Sequence, residues 1–145
     1  EYIASYADLS KAFGTNAAAG DDHFTQFGFD AGRGDTFDGL EYIASYDDLS
    51  NAYGLDADKG TAHFIKFGRE AGRESSFDGL EYIASYGDLI NAYGLDADKG
   101  TAHFIEFGRE AGREVSFDAR YYLGGNTDLR EKFGTDQAAA AEHFI

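Results

Sequence analysis

Histidine is the side chain best suited to proton transfer or metal binding near neutral pH. This chain carries it at His23, His63, His103 and His143, each followed by phenylalanine and each 40 residues from the next. Imidazoles a full repeat apart are too widely spaced for a shared mononuclear metal unless the array closes tightly. The spacing therefore favours a packing histidine hydrogen-bonded to a neighbouring repeat.

The other recurring polar residues invite the same weighing. Asp56-Ala57-Asp58-Lys59-Gly60 and its twin from Asp96 look like the opening of a calcium loop, but Gly60 and Phe67 stand where further oxygen ligands belong. Across the four copies only the first position persists, as Asn16, Asp56, Asp96 and Asp136, which suits a helix cap. Asp8, Asp48, Asp88 and Asp128, always before leucine, are also assigned capping duties, with a distributed cation-binding face as the alternative. Glu70 with Arg73, Glu110 with Arg113, and Asp30 with Arg33 repeat as an acid and a base three apart. A local or inter-repeat ion pair is expected there; a carboxylate or sugar contact by the arginine is the sharper alternative. Tyr2, Tyr42, Tyr82 and Tyr122, with Tyr53 and Tyr93, offer flat apolar faces with hydroxyls that would suit a sugar-binding surface. Aromatics at helical spacing also suit a core. No nucleophile elbow, HExxH, phosphate loop or paired catalytic carboxylate is present. No catalytic residue and no cofactor is expected, calcium being the one ligand left open.

Short helices must position these groups. Asp38 ahead of Gly39-Leu40-Glu41 reads as a capping box. Leu40, Ile43, Tyr46, Leu49 and Tyr53 follow at three- and four-residue steps, and Gly54 is the stop. Asp47-Asp48, Gly87-Asp88 and Asn126-Thr127-Asp128 read as a break, so a short helix followed by a second from about Asp48 is predicted, with one continuous helix as the alternative. Asp56 caps a third, carrying Ala62, Phe64, Ile65 and Phe67 up to Gly68. Gly68 and Gly72 then bracket a compact turn. Nothing alternates with the period of a strand.

The predicted fold is an all-α tandem helical repeat array, a solenoid-like stack with about 40 residues and two to three short helices per repeat. The repeats are 1–40, 41–80, 81–120 and a partial, degenerate 121–145. Repeats 2 and 3 differ at six of 40 positions. Four of these (Asp47/Gly87, Ser50/Ile90, Lys66/Glu106, Ser75/Val115) change charge, size or polarity and are expected at the surface. Helices this short are marginal alone. Stacking is expected to bury Tyr42, Tyr46, Phe64, Phe67 and Phe77 and to make stability depend on copy number. Both ends fall inside a repeat and the chain has no methionine, so a segment of a longer or processed polypeptide is expected.

Charge and composition narrow the setting. A net charge of −15 argues against nucleic acid or an anionic membrane as partner and favours cations or basic partners. No apolar run approaches the length of a membrane span. Cysteine is absent, which removes disulfides and thiolate metal sites.

The pattern YIASYxDLxxAYGxDxxxGxxHFxxFGRxxGR at Tyr42–Arg73 and Tyr82–Arg113 resembles a repeat of large bacterial secreted and surface proteins, which often carry calcium-binding RTX-type modules beside it. The resemblance implies an extracellular or cell-surface location and a non-enzymatic role in spacing, adhesion or self-assembly. Another copy, adjacent repeats of a longer chain, or surface glycans would be the partners. A repetitive glycan- or calcium-binding module attached to a secreted enzyme or toxin is the alternative.

Overall fold

The computed structural model describes all 145 residues as helices joined by turns, with no strand. Each repeat supplies three α-helices. They are α1 (Tyr2–Ser5), α2 (Ala7–Phe13) and α3 (Ala17–His23), then α4 (Gly39–Ala44), α5 (Asp47–Tyr53) and α6 (Ala57–His63). The second half repeats the plan with α7 (Gly79–Ala84), α8 (Gly87–Tyr93) and α9 (Ala97–His103), then α10 (Ala119–Gly125), α11 (Thr127–Phe133) and α12 (Gln137–Phe144). The chain is an all-α array of helical repeats, divided into two compact units, Glu1–Phe77 and Asp78–Ile145.

The first helix of a repeat begins as its sequence dictates. The Asp38 carboxylate accepts from the amides of Leu40 and Glu41, and Asp118 does the same for Arg120 and Tyr121. The expected capping box is only half made. In the second unit Glu81, the glutamate three residues after the Asp78 cap, accepts from the Ala119 amide at 3.0 Å and so completes the start of α10. Glu1 does the same for Gly39 at 3.1 Å in the first unit. Within each unit one repeat thus finishes the helix start of the next.

The predicted break falls one residue early and has another cause. Tyr46 is the N-cap of α5, in extended conformation and with no side-chain cap bond, while its hydroxyl donates to the Glu74 carbonyl at 2.9 Å. Asp48 caps nothing. Tyr6, Tyr86 and Asn126 hold the same extended corner. Beyond it Leu9, Leu49, Leu89 and Leu129 are all buried.

The third helix does not end where the sequence suggested. Phe64–Gly68 forms a widened π-helical turn, as do Phe24–Gly28 and Phe104–Gly108. Gly68 is therefore interior to a helical segment. The stop is Gly72, whose positive φ lets its amide reach the Arg69 carbonyl and the Arg73 amide reach Gly68, a Schellman-type closure.

Two burial expectations fail. Ser50 is buried because its hydroxyl donates to the Ile43 carbonyl at 2.9 Å across the break, and the equivalent Ile90 is half-buried. Phe67 stands exposed, because the extra residue in the widened turn swings it away from the face that carries Phe64. The core of the first unit instead holds Tyr42 and Ile43 with Phe64, against whose ring Phe37 stacks at 4.4 Å. Arg69 lies over the other part of this cluster, 4.8 Å from the Phe64 centroid, and donates to the Ala4 carbonyl of the preceding repeat. In the second unit α12 packs on α7, and Ala119, Leu123, Leu129 and Ala140 form a further cluster.

Serine 45 ties the end of α4 to the segment that closes its repeat. Its Oγ accepts from the Ser76 and Phe77 amides at 2.9 and 3.0 Å, and Ser5 and Ser85 act alike. Ser45→Ala leaves two amides without their acceptor and is expected to cost about 1–2 kcal/mol. An unchanged denaturation midpoint would show that water replaces the hydroxyl fully.

Candidate functional site

The recurring polar residues converge once per repeat, around the tyrosine of the first helix. Tyr42 on α4 is fully buried, and its hydroxyl is hydrogen-bonded to Nδ1 of His63 on α6 at 3.1 Å. Tyr2 with His23, Tyr82 with His103 and Tyr122 with His143 make the same contact at 3.0 to 3.1 Å. The histidine thus bonds within its own repeat, not to a neighbouring one. A chain segment of 21 residues separates the partners, so the pairing depends on how the first and third helices cross.

The hydroxyl reaches His63 because Gly68 lets it pass. A β-carbon at Gly68 would lie far inside contact distance of the Tyr42 oxygen, and Gly28 and Gly108 face Tyr2 and Tyr82 in the same way. The glycine in HFxxFG is a packing requirement.

Arginine 73 completes the arrangement. It lies 4.5 Å from the Tyr46 ring centroid and pairs with Asp48 at 2.9 Å, not with Glu70 three residues away. Arg33 treats Tyr6 and Asp8 alike, and Arg113 treats Tyr86 and Asp88 alike, with ion pairs of 2.9 and 2.8 Å. Asp8, Asp48 and Asp88 therefore serve as arginine partners rather than caps. All three pairs are solvent-exposed on the acid side, so each adds little to stability and is screened by salt. Asn16, Asp56, Asp96 and Asp136 do cap the third helices, through the amides of Ala19, Lys59, Lys99 and Ala139. Asp56 and Asp96 also pair with Lys59 and Lys99.

The electrostatics follow from these contacts. The hydrogen bond from Arg73 holds Asp48 below the ordinary carboxylate range, and Arg33 and Arg113 do so for Asp8 and Asp88. Burial raises Tyr42 and pushes Tyr82 up to about 12, so these hydroxyls keep their protons at neutral pH. Burial, and then the charge of Arg73, hold His63 below its ordinary value of 6.5. A group whose pKa is depressed by folding adds stability above its unfolded value and loses it as pH falls. Thermal stability should therefore decline first as pH drops below 6.5, from His63, and again below 3.8, from Asp48 and its counterparts. His63→Gln should flatten the upper limb of a melting-temperature profile; an unaltered limb would assign it elsewhere.

Tyr42 and Tyr82 are fully buried and present no face to a sugar, while Tyr2, Tyr53, Tyr93 and Tyr122 are half-buried. No three histidine or acidic side chains are placed to hold a metal ion. A cavity of about 320 Å³ in the first unit is lined by Glu1, Ile3, Asp21, Asp35, Asp58 and Thr61 among others, and by none of the histidines. No family model matches the chain, and searches of the curated proteins and of the solved structures return no match either.

Sequence reasoning missed the exposed phenylalanines. Phe27, Phe67 and Phe107, on the widened turns, are 61%, 62% and 60% exposed, each with one edge against the histidine of its repeat. The signal in the sequence is the glycine directly after each of them, which lies inside the widened turn against the tyrosine of its repeat.

Proposed function

We propose that the chain is a non-enzymatic structural and interaction array of a bacterial extracellular or surface protein, acting in spacing, adhesion or self-assembly. The reading rests on one observation above all. Within each unit the repeats are interlocked by residues that recur, Glu1 completing the start of α4 and Glu81 that of α10, so repetition itself is what the recurring chemistry serves. The histidines and tyrosines that looked chemically capable are engaged with each other inside each repeat. The surface location draws on the sequence resemblance and the acidic charge. No helix is long and apolar enough to cross a membrane. In self-assembly the array would meet another copy of this chain or further repeats of the same kind.

Light scattering over a concentration series, with and without calcium, tests the assembly role. Species heavier than the monomer that grow with concentration are expected. A rigid monomer under all conditions would remove self-assembly and leave spacing alone.

A further inference from the structure

Three arginines of this structure share one setting. Arg33, Arg73 and Arg113 each lie over a tyrosine ring while their guanidinium groups pair with an aspartate, so an aromatic face and a carboxylate together form the seat of one arginine. The widened turns present the same two groups again, without an arginine. Phe67 is followed three residues later by exposed Glu70, and the Ala71 amide bonds back to the Phe67 carbonyl at 3.0 Å, so the backbone there remains helical and the two side chains share a face. Phe27 with Asp30 and Phe107 with Glu110 repeat the pair, both members exposed. Glu70 was expected to occupy Arg73, but Asp48 does so.

Packing does not account for this face. A phenyl ring about 60% exposed contributes little to the core and lowers solubility. Repeat 1 nevertheless keeps both the phenylalanine and an acid, while the neighbouring positions differ, Gln26 against Lys66 and Phe29 against Arg69.

We propose that each of these turns is a docking site for a basic, arginine-bearing segment of a partner protein. Each phenylalanine receives a guanidinium on its face, and the carboxylate three residues on pairs with it. Arginine fits both demands at once, being planar, delocalised and weakly hydrated, whereas lysine offers a compact, strongly hydrated charge. A chain with 27 acidic and 12 basic residues also draws such a segment from solution. This deepens the reading of the chain as an interaction array and rests on it, giving that array a partner of defined chemistry.

A fluorescently labelled peptide of alternating arginine and alanine, titrated with the protein at physiological salt, provides the test. Binding is expected, and the alternating lysine peptide should bind more weakly. Asp30→Asn, Glu70→Gln and Glu110→Gln together should weaken binding about tenfold or more, as should Phe27→Ser, Phe67→Ser and Phe107→Ser together. The control is Asp22→Asn, Asp35→Asn and Glu131→Gln, which removes the same charge from exposed acids elsewhere and should bind as the parent does. Retained melting temperature confirms folding; if the serine variant unfolds, the carboxylate variant decides, since its groups are exposed. Equal weakening by the control would reduce the effect to diffuse charge, and unchanged binding in the carboxylate variant would overturn the proposal. So would a neutral oligosaccharide that competes with the peptide and needs only the phenylalanines. Light scattering separates the two readings, because peptide binding by a strict monomer would sink self-assembly and leave this surface standing.

Discussion

Tyr42→Ala is expected to lower the stability of the first unit by about 3–5 kcal/mol, as removal of a large buried aromatic does elsewhere. The ring is fully buried among Phe37, Tyr46, His63 and Phe64, with centroid separations of 5.2 to 5.9 Å. Its loss opens a void at the junction of the first helix, the third helix and the widened turn, and also strips His63 of its hydrogen-bond partner. Tyr42→Phe isolates that second component and should cost about 1 kcal/mol. Tyr122→Ala in the last repeat should cost distinctly less, because Tyr122 is only half-buried. Urea denaturation of the three variants checks the order. A Tyr42→Ala variant no weaker than Tyr42→Phe would mean that the cluster repacks and the ring is not a keystone.

Gly68→Ala should be nearly as damaging although it adds one methyl group. The new β-carbon meets the Tyr42 hydroxyl and lies 3.0 Å from its Cζ, while the ring has no room to retreat. Overpacking of this kind costs about 1–3 kcal/mol, and the Tyr42–His63 hydrogen bond is lost with it. Pairing Gly68→Ala with Tyr42→Phe removes the oxygen responsible and should recover part of the loss, giving a clear coupling in a double-mutant cycle. Strict additivity of the two substitutions would show that the clash is not with the hydroxyl. Gly72→Ala provides a contrast: its β-carbon meets nothing, and its cost arises from the positive φ alone.

Much of this architecture is legible in the residues. Asp38 and Asp56 announce helix starts, and the spacing of Ile43, Leu49 and Tyr53 announces helices. The period of 40 announces an array. These are local signals, and local hydrogen bonding fulfils them. The errors share a cause. The sequence suggests Asp48 as a cap and Glu70 as the partner of Arg73, because it offers only near neighbours as candidates. The actual partner of Arg73 lies 25 residues away. Variation at Ser50 suggests a surface position, yet a buried site can exchange a hydroxyl bonded to a carbonyl for an apolar side chain.

The sequence by itself determined the helical class, the repeat and its caps, since each depends on the next few residues and on the 3.6-residue period. Only the tertiary structure decided which recurring residues remain available to a partner. The crossing of the first and third helices brings Tyr42 to His63 and commits both to packing. The return of each repeat's closing segment brings Arg73 to Asp48 and so leaves Glu70 in solvent. The widened turn, one residue longer than an α-helical turn, rotates Phe67 outward beside it. Exposure is a property of what else arrives at a position, and no period in the chain encodes that.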